Sequence, residues 1–113
     1  MRFAMRFGGW MLVSAVMGAS SVAAAAGSAR PADKTVAQVC SVCHGAGLMG
    51  APKIGDADAW QGRLQKAGSL DALVESAEHG KGGMPPRGGQ SSLSDDELKA
   101  AIQLMLAKSG VSS

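Results

Sequence analysis

Four short helices joined by glycine-rich loops, an all-α domain, is the fold class the sequence predicts. Three observations point there. From residue 33 onward, apolar side chains recur three and four residues apart and do not alternate with the period of a strand. Each run opens on an Asp or Ser able to cap a helix and closes on a glycine. Glycine is also abundant, 16 of 113 residues, and much of it gathers between the runs, in loops long enough to be functional in so small a domain.

The elements follow in order. Residues 1–26 read as a secretory signal peptide: Arg2 and Arg6 make a positive start, no charge follows from Phe7 to Ala29, and "AAAAG" supplies small residues for a cut after Ala26. The alternative is an uncleaved membrane anchor, since that run could just span a bilayer; Gly8, Gly9, Ser14, Gly18, Ser20 and Ser21 dilute its apolar character. Residues 27–32 form a short lead-in, and 33–113 form the domain. The first helix is "DKTVAQVCSVCHG", with Asp33 as N-cap and Val36, Val39, Cys40 and Cys43 along one face. "GAGLMGAPKIGD" reads as a loop, being rich in glycine and broken by Pro52. The second helix, "ADAWQGRLQKAG", takes Asp56 or Asp58 as cap and sets Trp60 and Leu64 one turn apart. The third, "SLDALVESAEHG", is capped by Ser69 and turns Leu70, Leu73, Val74 and Ala77 inward. The last starts at a capping box, Ser94 with Glu97 in "SDDE", and lines Leu98, Ala101, Ile102 and Met105 along one face up to Gly110.

Charge and aromatic content narrow the function. Of 11 basic and 9 acidic residues, Arg2 and Arg6 leave with the leader, so the domain is formally neutral. It has no basic excess for nucleic acid or acidic lipid. Phe3, Phe7 and Trp10 leave as well, and Trp60 is the one aromatic residue that stays. Domains with so thin a core draw stability from disulfides, a metal or a cofactor. Two cysteines allow one disulfide at most.

"CSVCH", Cys40 to His44, carries the chemistry. Cys-x-x-Cys-His is the attachment signature of c-type haem, and the spacing has a physical reason. On a helix, residues i, i+3 and i+4 share a face, so two thiols can add to the haem vinyl groups while the imidazole reaches the iron. A Cys-x-x-Cys redox pair would leave His44 without a role, and no βαβ pattern surrounds it. A structural zinc site would need four ligands, and no second pair stands at the right spacing. A disulfide between near neighbours closes almost no loop.

A covalent haem also supplies the missing apolar bulk, and its iron needs a second axial ligand. Met84 lies in "GKGGMPPRGG", a loop stiffened by Pro85 and Pro86, where a weak thioether ligand can be held in place. Met105 sits at core spacing. Met49, five residues from His44, and His79, at the end of the third helix, stay open as alternatives. Pro52 shapes a loop able to offer His44 a carbonyl. Trp60 and Arg63, on one helical turn, are placed to reach the haem carboxylates. A void bordered by Cys40, His44 and Met84 is the structural expectation.

"CSVCHGAG", "GAPKIGD", Trp60, "GKGGMPPRGG" and "LSDDEL", in that order, closely resemble the class I cytochromes c of the c5 type. The resemblance covers about residues 32–107. It implies a small class I cytochrome c fold wrapped around one covalent haem c on Cys40 and Cys43. His44 and Met84 are then the axial iron ligands, with single electrons passing between redox partner proteins in the periplasm. Such a protein is a carrier and not an enzyme, because His and Met together saturate the iron. The alternatives are a ligand-binding or peroxidatic haem protein with a displaceable methionine, or the haem subunit of a larger dehydrogenase. Membrane association is expected only if the leader is uncleaved.

Overall fold

The computed structural model describes residues 28–113, so the signal peptide expected over residues 1–26 lies outside the described residues. Ala32–Thr35, Val36–Cys40 and Ser41–His44 run end to end as one helix, α1. Ala57–Ala67 is α2, Leu70–His79 is α3 and Asp95–Lys108 is α4. Among the described residues no strand forms beyond a single bridge between Lys81 and Met84. None of these helices is long and apolar enough to cross a membrane.

Three helix starts follow the capping chemistry. Asp56 accepts from the Ala59 amide and Ser69 from the Ala72 amide, both at 3.1 Å. Ser94 and Glu97 form the reciprocal capping box. The α4 exit is a Schellman turn: the Val111 amide bonds Leu106 O and the Gly110 amide bonds Ala107 O, with Val111 buried behind them.

The first helix departs from expectation at two points. It begins at Ala32 behind Pro31, and Asp33 makes no capping bond. The Pro31 carbonyl already accepts from the Thr35 amide at 3.0 Å, which leaves Asp33 inside the first turn as a favourable charge on the helix dipole. Val36–Cys40 is then wound as a π turn, and Ser41 Oγ donates to Val36 O at 2.7 Å. Burial along the predicted face is uneven. Val36 is buried, but Val39, Cys40 and Cys43 are half-buried.

The core is built from α1, α3 and α4, with Trp60 from α2. Leu98, Ala101, Ile102, Met105 and Leu106 of α4 are buried against Val36, Val74 and Ala77, and Leu70 and Leu73 pack alongside. Packing of α1 on α4 is reinforced by the lead-in, where the Arg30 amide donates to a Glu97 carboxylate oxygen. The other Glu97 oxygen takes the Ser94 amide, and these bonds hold the carboxyl below the usual range. Met84 leans on the core from the loop between α3 and α4.

Candidate haem site

Cys40 and Cys43 are free thiols, half-buried on α1. Burial pushes the Cys40 thiol above its ordinary value, partly offset by a backbone hydrogen bond. Among the described residues, no cluster of three or more His, Cys, Asp or Glu is placed to hold a bare metal ion.

His44 closes the helix and is buried, 7% exposed. Its Nδ1 lies 2.8 Å from Pro52 O. A carbonyl only accepts, so the ring proton sits on Nδ1 and the lone pair on Nε2. The Ile54 amide donates to His44 O at 2.8 Å, which folds the loop of residues 45–56 back over the histidine. Trp60 backs the imidazole, with ring centroids 5.2 Å apart and planes at 30°.

Trp60 differs from the sequence reading, which aims it at a haem carboxylate together with Arg63. The indole Nε1 donates to Lys53 O at 3.0 Å. A tryptophan has one N–H, so that donor is used inside the fold. Arg63 Nη2 donates to Gly50 O at 3.1 Å while the side chain stays exposed, with further N–H groups free for other acceptors.

The Met84 segment is closed by two backbone hydrogen bonds. Lys81 N–H donates to Met84 O at 3.0 Å and Met84 N–H to Lys81 O at 2.9 Å. Gly80 makes that closure possible, a role the sequence reading missed by treating it as a helix stop alone. It sits at φ 82, ψ 156, a region open essentially to glycine. A Cβ there would lie 2.8 Å from Met84 O and 2.9 Å from Pro86 N. Gly80→Ala is therefore expected to destabilise the protein by about 1–3 kcal/mol, read by denaturant unfolding of the haem-loaded form. Unchanged stability would mean that the loop has another way to close.

Two cavities, of about 330 and 190 Å³, share Cys43, His44, Met84, Ile102 and Met105 in their walls. Pro52, Trp60 and Arg63 border the larger, and Cys40 borders the smaller. Cys40, Cys43, His44, Pro52, Trp60, Arg63 and Met84 thus all border this divided space, and the larger part alone reaches the scale of cofactor pockets, roughly 300–1,000 Å³. The donor set suits a haem: two thiols three residues apart, an oriented imidazole and a soft thioether. His79 borders neither cavity and spends its Nδ1 on Glu75 O at 3.0 Å. Met49 stands at the mouth, 81% exposed and leaning towards Gly83.

Residues 27–105 match the family described as cytochrome C oxidase, cbb3-type, subunit III. The chain is 51% identical over 83 residues to cytochrome c5 of Ectopseudomonas mendocina, covering 74% of this chain and 95% of that protein. It is 49% identical over 79 residues to cytochrome c5 of Azotobacter vinelandii, covering 70% and 95%. The chain belongs to the class I c-type cytochromes, c5 type. Its cofactor is one covalently bound c-type haem with iron. Solved structures share the fold of this cytochrome. A chain from an electron-transfer complex of nitrite reductase with cytochrome c aligns at TM-score 0.63 and 38% identity, covering 73% of this chain and 99% of that one. A mono-haem ferrocytochrome c from Shewanella putrefaciens aligns at 0.61 and 37%, covering 69% and 94%. The cytochrome is accordingly a small mono-haem electron carrier.

Proposed function

We propose that this cytochrome carries single electrons between protein partners in the periplasm, and that it does so as a carrier and not as an enzyme. In this reading Cys40 and Cys43 hold the haem, and His44 and Met84 are the axial ligands. The observation that carries it is the shared border: His44 and Met84 line both cavities, next to the paired thiols. When bound, the haem supplies a one-electron change between ferric and ferrous iron.

The protein's own part is to hold both ligands still. Pro52 O keeps the proton of His44 on Nδ1, and Trp60 packs the ring in place. Mutual bonds between Lys81 and Met84 fix the thioether's backbone. Ligands held in this way move little between oxidation states. Val42, Leu48 and Met49 expose apolar surface near the cavities, at 65%, 50% and 81%, and form a docking patch for a redox partner. Export rests on the predicted leader, cut after Ala26.

Two measurements on the native periplasmic fraction test this reading. Mass spectrometry is expected to find a chain starting near Gly27 with the mass of one haem added. The oxidised protein is expected to show a sulfur-to-iron charge-transfer band, and the reduced protein no carbon monoxide binding at neutral pH. Ready carbon monoxide binding would instead support the ligand-binding or peroxidatic reading.

A further inference from the structure

Met84 is followed by an unusual turn. Two short turns meet at a kink over Pro86–Gly89, closed by the Gly88 amide on Pro85 O and the Gln90 amide on Arg87 O, with Arg87 at φ 55, ψ 30 and Gly88 at φ 63, ψ 20. Glycine adopts those angles freely, whereas a residue with a Cβ is held there against a steric cost. Something must hold Arg87 in place, and its side chain shows what does.

The guanidinium reaches forward across the loop. Nη1 donates to Leu93 O at 3.0 Å and Nη2 to Asp95 Oδ1 at 2.5 Å. Leu93 is buried, 3% exposed, and Asp95 opens the first turn of α4. The Arg87 side chain is 25% exposed and Asp95 is 70% exposed, so the fork is partly shielded from water at its inner arm. On its other side the turn meets α1, because a Cβ on Gly88 would lie 3.2 Å from Val39 Cγ1. The segment holding Met84 is thus fixed at both ends. Lys81 closes it from before, and Arg87 ties it to α4 from behind.

We propose that Arg87 is a positioning residue for the Met84 thioether, and that its fork to Leu93 O and Asp95 sets how often Met84 leaves the iron. This rests on Met84 being the ligand. The two arms do different work. The Leu93 arm fixes the loop to a buried backbone carbonyl, and the Asp95 arm adds a charge-assisted bond to the mouth of α4. A lysine carries one compact ammonium and cannot span both acceptors as the fork does.

The test uses the haem-loaded protein, with carbon monoxide binding to the ferrous form and the sulfur-to-iron band of the ferric form as readouts. Arg87→Ala is expected to weaken the band and speed carbon monoxide binding on the order of tenfold, the scale of one charge-assisted hydrogen bond lost. Arg87→Lys is expected to fall between Arg87→Ala and the native protein, and Asp95→Asn to give a smaller effect than Arg87→Ala. If Arg87→Ala fails to load haem, Arg87→Lys and Asp95→Asn carry the same expectation. Met84→Ala separates the two readings. If it keeps the band, the ligand assignment fails and the Arg87 proposal falls with it. If it loses the band while the Arg87 and Asp95 variants bind carbon monoxide at the native rate, the ligand assignment stands and the Arg87 proposal alone is overturned.

Discussion

Met84→His is expected to lower the midpoint potential by a substantial part of the roughly 0.8 V that axial ligands span across haem proteins. A thioether is a poor donor to ferric iron and favours the ferrous state, whereas an imidazole nitrogen stabilises the ferric state. The site supports a comparison of ligand chemistry alone, because the backbone at this position is closed by its own bonds to Lys81. Met84→Ala is expected to open the iron to carbon monoxide and to add peroxidase activity, turning the carrier into a ligand-binding, peroxidatic haem protein. Met49→Leu and Met105→Leu should do neither, since Met49 is 81% exposed at the mouth and Met105 is buried on α4. Redox titration and carbon monoxide difference spectra read these outcomes. A Met84→Ala protein that kept its sulfur-to-iron band would remove Met84 from the iron and make Met49 the next candidate.

Replacing Cys40 and Cys43 together with alanine is expected to leave a chain that is mostly unfolded or degraded in the cell. The buried core holds one aromatic side chain, Trp60, and otherwise consists of aliphatic residues and one methionine. The two cavities interrupt that core, and Ile102 and Met105 line both. So little apolar contact does not offset the ordering of the chain, which costs about 1–2 kcal/mol per residue in backbone entropy alone. Circular dichroism of the double variant is the measurement. Native helix content in a haem-free chain would sink the idea.

Much of the fold was legible because its signals are local. Asp56, Ser69 and the Ser94–Glu97 pair act within one turn of themselves, and they start their helices as the sequence suggested. Asp33 misled because Pro31 had already supplied the first carbonyl of α1. The π turn over Val36–Cys40 was invisible, since one extra residue per turn leaves no trace in the spacing of so few apolar side chains. At the site, the residue types were readable and their partners were not. Trp60 has one donor, and only the folded path of the preceding loop brings Lys53 O to it. Gly80 and Arg87 were passed over for the same reason. Only the folded path brings Met84 O and Pro86 N close against Gly80, and Leu93 O and Asp95 within reach of Arg87.

The seam between α1 and α4 has a consequence in time. Its bond from Arg30 to Glu97 joins residues 67 apart in the chain. Closing a loop costs more entropy as the loop lengthens, and sequence-distant contacts are slow to form. The turn bearing Cys40 and Cys43, in contrast, is complete once α1 winds. Part of the cover over Cys40 is the core cluster to which α4 contributes most. Until the far end of the chain arrives, that part of the cover is missing. Contact between the two ends of the domain is therefore the slow part of folding, and it is the step that brings α4 over the attachment turn.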